Sequence, residues 1–383
     1  MKSQPFSFKF VVPQKSSLLM MLVLAALTSS CVHQQTSALA SKSLPPLTML
    51  TASTDELMMQ GIFGVYARHP KVFAANFAKI AASGAAGLCA EWEAGHVPQW
   101  YVEHQRYGSD LIVAGVALGD EPLVERGLAG LQWAFDHQGK EGDFPGTGDP
   151  YHSISIFTEA AARALLVIRE ADARPGDDRW RRAAATANQQ VPHVLAAARW
   201  LARPDVEAAA RNHEALFTHR SYILAAALGE TAALTHDDAL TQHAERFAQA
   251  GLARQLENGV NPERGGFDVS YQSAGVLNAA RYWLVCPDPE LRQNLAGMIR
   301  RGMLWEANRI DAKGVVNMAG STRTGHDHER SGTVKKVNDK EVYLAFVYSY
   351  EITGEARFRE VAKSLNTAPD WPGRIARLFP CQD

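Results

Sequence analysis

Cysteine is scarce. The 383 residues hold four, Cys31, Cys89, Cys286 and Cys381, with no CxxC or other metal-ligand spacing. Neither a disulfide framework nor a thiolate metal site therefore organises the chain. Charge of one sign is lacking too. Thirty-nine basic side chains against 41 acidic ones leave a net charge of -2. Such a chain has no global attraction for nucleic acid, and any polyanion it handles must meet a local basic patch. Long hydrophobic runs are confined to 18–27 (LLMMLVLAAL), too short to span a bilayer as a mature helix. With 46% hydrophobic and 21% charged residues, the composition excludes a disordered tail, a collagen-like chain and a coiled-coil rod.

The apolar run follows Lys2, Lys9 and Lys15, and the first 40 residues carry no acid. This pattern predicts an export signal, with 1–40 as signal and leader and 41–383 as one functional domain. Residues 38–40 (Ala-Leu-Ala) form a small-x-small cleavage site, and Cys31 after Leu-Thr-Ser-Ser resembles a bacterial lipoprotein box. The expected location is periplasmic or secreted, with Cys31 a candidate lipid anchor to the outer membrane. The mature chain is expected to be monomeric.

Beyond residue 55 the dominant signal is helical. Ala, Leu, Arg and Glu fill long windows with apolar residues at 3.6 spacing, as in 154–170 and 193–202. Further helices are predicted near 103–118, 121–138, 213–228, 237–257, 270–284, 289–309, 339–352 and 355–365. Gly-acid pairs at 119–120, 229–230 and 354–355 read as tight turns between paired helices. Short Gly-rich loops at 142–144, 265–267 and 313–315 follow the second helix of a pair. Helix, tight turn, helix and irregular loop recur about every 50 to 60 residues. Degenerate repeats whose loops carry polar and aromatic side chains favour a closed ring over an open array. The predicted fold is all-α, a single (α/α)n toroid built as an incomplete barrel of helical hairpins.

Three segments hold side chains that could do chemistry. In 211–213 (Arg-Asn-His), Asn212 is a natural N-cap for a helix starting at His213, and His219-Arg220 follows one to two turns on. In 262–272 (PERGGFDVSYQ), two glycines permit tight backbone geometry, and Asp268 or Ser270 can cap the helix that begins near Tyr271. A tyrosine hydroxyl titrates near about 10 and serves as a base only beside a cation; Arg264 is a neighbour of that kind. In 320–336, Arg323, Arg330, Lys335 and Lys336 join His326 and His328 against two acids. Alternating histidines in a Gly/Ser/Thr-rich loop diverge, so no metal is expected there. A basic loop against an otherwise acidic balance suits acidic sugars.

The order Asn-His, then Arg264, then Tyr271 seven positions later resembles the polysaccharide lyases of α/α-toroid fold, of alginate lyase or glucuronan lyase type. The resemblance implies that Asn212, His213, Arg264 and Tyr271 act together on a uronic acid, with His219 or Arg220 as alternates for His213 and Arg264. It also implies β-elimination without a cofactor. The C5 proton leaves beside the carboxylate, Asn, His and Arg neutralise the enolate-like charge, and Tyr271 protonates the departing oxygen. Either Tyr271 or His213 takes the C5 proton, depending on the face attacked. His152, His219, Arg220, Arg323, His326 and Arg330 are expected to bind the anionic polysaccharide. Trp100, Tyr101 and Tyr107 suit core packing, with sugar stacking as the alternative.

Two other classes remain open on sequence. A glycoside hydrolase on the same fold would draw two carboxylates from Glu103, Asp143, Asp149 and Asp268. An exported glycan-binding lipoprotein would need no catalytic group at all.

Overall fold

The computed structural model describes residues 54, 57–65, 99–329 and 332–376. The chain divides into two compact units, Met1–Pro45 and Pro46–Asp383, and every described residue lies in the second. The export signal, Cys31, Cys89, Cys381 and Arg330 fall outside the described residues. Cys286 is a buried free thiol. No described helix is long and apolar enough to cross a membrane.

The described residues contain helices, loops and isolated β-bridges, and no strand. In chain order the helices are α1 (Arg106–Leu118), α2 (Glu121–Asp136), α3 (Pro150–Asp172), α4 (Arg181–Leu201), α5 (Pro204–Glu214) and α6 (Thr218–Thr235). They continue with α7 (Asp238–Leu252), α8 (Val269–Val285), α9 (Pro289–Ala307), α10 (Asp339–Thr353), α11 (Ala356–Thr367) and α12 (Trp371–Ala376). The boundaries follow local chemistry. Gly119 and Gly354 adopt left-handed φ of 70° and 66° and close α1 and α10. Asp120, Asp237, Asp268, Asp288 and Asn338 cap the helices that follow them with side-chain oxygens.

Helices α1, α3, α6, α8 and α10 pack side by side in sequence, and α2, α4, α7, α9 and α11 each lie against the preceding member of that series. The first set is buried nearly all round; α3, α6 and α8 bury residues on every face. The second set exposes a face, and α7 and α11 bury single stripes. The ring closes where Lys340 of α10 meets Asp110 of α1 at 2.6 Å. It closes again where the 57–65 segment joins the far end of the chain. Trp371 Nε1 donates to the Gly61 carbonyl at 2.7 Å, and the Tyr343 hydroxyl donates to the Leu57 carbonyl. The architecture is the expected all-α toroid of helical hairpins.

Two local expectations need correction. The 228–230 stretch is not a turn; it lies inside α6, and the chain reverses at His236 instead, at φ 56°. Gly229 is there because Tyr282 of α8 packs on it, and a Cβ would meet that ring at 2.6 Å. Asn212 is not an N-cap. It lies in the last turn of α5, an additional helix that buries none of its residues, so periodicity gave no hint of it.

The five inner helices run the same way and bring their N-termini to one mouth. There Ser153 of α3 bonds Glu103 just before α1 at 3.1 Å, and the Asn338 N–H donates to Ser270 of α8 at 3.0 Å. Deeper in the ring, Arg163 and Arg281 both hold Glu159 at 2.9 Å. Glu230, 1% exposed, faces this group with neither carboxyl oxygen hydrogen-bonded. Burial, reinforced by Glu159, raises its pKa well above the glutamate range despite Arg163 and Arg281. Burial also acts upward on Glu159, but Arg281 and Arg163 outweigh it and hold that carboxyl low. Folded Glu230 thus keeps a proton that the unfolded chain releases above about pH 4.3. Stability should fall as pH rises from there, by up to about 1.4 kcal/mol per unit. Glu159 opposes this only near the unfolded glutamate pKa of about 4.3; once ionised in both states at higher pH it adds no slope. In urea melts from pH 5 to 8, Glu230→Gln should flatten the decline, and parallel curves for the two proteins would refute the assignment.

Candidate functional site

Asp268 builds the site. Fully buried before α8, its Oδ1 accepts from the N–H groups of Ser270 and Tyr271 at 3.1 and 3.2 Å and from the Thr324 hydroxyl at 2.7 Å. Its Oδ2 accepts from the N–H groups of Arg323 and Thr324 at 2.9 and 2.6 Å. One carboxylate therefore fixes the start of α8 and staples the basic loop to it.

That staple sets the surroundings of Tyr271, which is partly buried. The Arg323 guanidinium lies 3.9 Å from its ring centre, and Lys335 Nζ donates to its hydroxyl at 2.8 Å. An ammonium only donates, so the phenol keeps its own proton to give elsewhere. Negative charge forming on that oxygen would meet the ammonium directly. Arg264, expected to be this neighbour, instead pairs with Asp327 at 3.0 Å and extends 44% exposed toward solvent. It occupies a left-handed φ of 51° in the turn made with Gly265.

Phe217 organises the cations. The guanidinium carbons of Arg220, Arg323 and Arg264 lie 4.6, 4.8 and 5.5 Å from its buried ring. Asp327 lies among the loop charges. Partial burial raises its pKa, but the Arg323 hydrogen bond and the charges of Arg264, Arg323 and Lys335 outweigh this and hold its carboxyl below the usual range.

His219, 2% exposed at the start of α6, lies under the same mouth, its ring 4.6 Å from Tyr271 and 6.0 Å from His152. Its Nδ1 is 2.9 Å from Glu263 Oε1. His213 is 55% exposed at the end of α5, 3.2 Å from Arg220 and 5.4 Å from the Phe217 ring. Arg220 is buried, held by Glu214 and by Asp149 at 3.2 Å. Asp149, His213 and Glu214 form the one three-ligand grouping among the described residues. Arg220 already supplies its positive charge. Asn212 is exposed, and no contact ties it to Tyr271. His326 is exposed as well.

The geometry thus brings together Tyr271, His219, His152, Arg323 and, through Phe217, Arg264 and Arg220. Glu263 and Lys335 are the residues whose parts spacing could not disclose. Of the stacking candidates, Trp100 is core, edge-on to Trp133 at 6.0 Å. Of the carboxylates considered for hydrolysis, Asp268 is consumed in structure and Glu103 is buried against Ser153; Asp149 has the carboxylate of Glu214 within 4.8 Å.

No protein-family model matches the chain, and no curated protein matches it. Among solved structures, it is similar to a glycosyl hydrolase family 88 protein from Bacteroides vulgatus. The two share 9% identity over 81% of this chain and 83% of that one, with a TM-score of 0.45.

Proposed function

We propose that the protein is a polysaccharide lyase that cleaves a uronic-acid polymer by β-elimination, with Tyr271 as the group that moves protons at the sugar. The observation that carries this reading is the hydroxyl of a partly exposed tyrosine held by an ammonium at 2.8 Å and backed by a guanidinium over its ring. A neutral sugar has no use for cations beside that hydroxyl, even ones shared, as here, with Asp327 and Glu329. A uronate does: its carboxylate gains charge as the C5 proton leaves, and fixed cations stabilise that charge without reorganising. Arg264 and Arg323 are the neutralising groups. Asn212 and His213, exposed on α5, serve at most as outer contacts to the polymer. The N-termini of five inner helices add partial positive charge at the same mouth.

The steps follow from the donors and acceptors. As a neighbouring base takes up the hydroxyl proton of Tyr271, its oxygen takes the C5 proton, and the C4–O bond breaks as the C4–C5 double bond forms. The same oxygen protonates the leaving group, and the base returns its proton. Proton and leaving group then lie on one face of the sugar. The product carries a double bond conjugated with its carboxylate and absorbs in the ultraviolet. Screening alginate, glucuronan, pectate and glycosaminoglycans for that absorbance tests the reading. New reducing ends without absorbance would favour hydrolysis, and neither signal on any polymer would favour binding alone.

Arg264 supplies a graded test. Arg264→Asn keeps a residue that tolerates left-handed backbone and removes the most solvent-facing cation of the group. At low ionic strength kcat should fall and KM rise several-fold, and both differences should shrink as salt shortens the screening length to about 8–10 Å and below. A kcat and KM unaffected at low salt would assign Arg264 to ordinary surface.

A further inference from the structure

Glu263 is fully buried, yet it serves no other charge. Its Oε1 accepts from the His219 backbone N–H at 3.0 Å and lies 2.9 Å from His219 Nδ1. Its Oε2 has no hydrogen-bond partner. The backbone around it is fixed from three sides. Glu263 N–H donates to Gly266 at 2.9 Å, the Thr322 hydroxyl donates to the Glu263 carbonyl at 3.0 Å, and Arg264 N–H donates to Leu216 at 2.9 Å. A carboxylate oxygen already accepting a backbone N–H can only accept from the ring as well. The imidazole proton must therefore sit on Nδ1, which leaves the Nε2 lone pair as the ring's open acceptor.

We propose that Glu263 is a positioning residue that fixes His219 as the Nδ1–H tautomer, so that His219 holds the Tyr271 proton during elimination. This rests on the lyase reading. His219 is 2% exposed, and its ring lies 4.6 Å from that of Tyr271 with the planes tilted by 43°, so the hydroxyl reaches Nε2 only as the site tightens around substrate. The hydroxyl proton of Tyr271 passes to His219 Nε2 as the phenolic oxygen takes the C5 proton. Tyr271 then gives that proton to the leaving oxygen, and the imidazolium returns its own to the phenolate. The C5–H and C4–O bonds break, the C4–C5 double bond and the product O–H form, and the protein ends as it began. Between the two transfers Glu263 balances the imidazolium, and Lys335 balances the phenolate whenever it forms. The charged or titratable groups facing His219 are Glu263 from the loop before α8, Tyr271 from α8 and His152 from α3, with Arg323 and Lys335 beyond Tyr271.

Two measurements test this on the full-length protein. Glu263→Gln keeps the acceptor oxygen but removes the counter-charge. It should lower kcat by about 10²-fold with KM little changed, and move the acid limb of the pH–rate profile to lower pH. Glu263→Asp should recover part of that loss. Unchanged kcat and profile in a folded Glu263→Gln would overturn the proposal. Nitrogen-15 NMR of the wild-type imidazole needs neither activity nor a variant that folds. The proton should be found on Nδ1 of His219, and a proton on Nε2 alone in the resting protein would overturn the assignment even if every uronate is cleaved. A protein that cleaves none of them but carries the Nδ1 proton would retain the Glu263–His219 arrangement and lose only the lyase reading.

Discussion

Tyr271→Phe should lose 10²–10⁴-fold in turnover while staying folded. Phe keeps the ring that lies beneath Arg323 and at a tilt against His219, and nearly all its buried area. Only the hydroxyl goes, with its hydrogen bond from Lys335. A tyrosine that merely packs would cost about 1 kcal/mol, the scale of that one bond, and leave turnover intact. The hydrolase reading predicts the opposite ranking. There Asp149→Asn would be the damaging change, because Asp149 and Glu214 are the carboxylates that face each other near the mouth. Assaying both variants by ultraviolet absorbance and by reducing ends separates the readings. An active Tyr271→Phe protein would end the lyase assignment.

Asp268→Asn should produce the largest loss of stability of any single-atom change at the site. The carboxylate accepts five hydrogen bonds, and an amide turned to keep its oxygen toward Ser270, Tyr271 and Thr324 Oγ1 sets its NH2 against the N–H groups of Arg323 and Thr324. Leaving two buried donors unpaired costs about 2–5 kcal/mol in a urea melt. Turnover should fall with it and KM should rise, because the loop that lays Arg323 on Tyr271 is no longer pinned. If Asp268 were instead a hydrolytic carboxylate, turnover would collapse with stability held or improved. That outcome would reverse the structural role given to it here.

The ring was legible because outer helices carry 3.6-residue apolar periodicity, inner ones run as long apolar, Ala- and Leu-rich windows, and glycines at 119 and 354 mark real reversals. Gly229 misled because a glycine admitting a neighbouring ring reads the same as one that ends a helix. Helix α5 was missed because it is short and lays only the half-buried Val206 and Ala210 on the core, too little of an apolar stripe to detect. At the site, Tyr271 and the Asp268 cap were readable from one short segment. The Glu263–His219 pair joins residues on different elements, separated by a whole hairpin. Arg264 and Lys335 exchanged expected places for a similar reason. Nearness in sequence suggested Arg264 as the partner of Tyr271, whereas the Asp268 staple delivers Lys335 from 64 positions away.

The closure of the ring has a consequence for how the chain folds. Each hairpin pairs helices that are neighbours in sequence, so its contacts are local and form early. The seam is different: the Leu57–Tyr343 and Gly61–Trp371 bonds span separations of 286 and 310 residues. Bringing such distant segments together costs more loop entropy than any contact within a hairpin. The hairpins can thus assemble one upon another as the chain emerges, while the seam between first and last waits for the C-terminal helices.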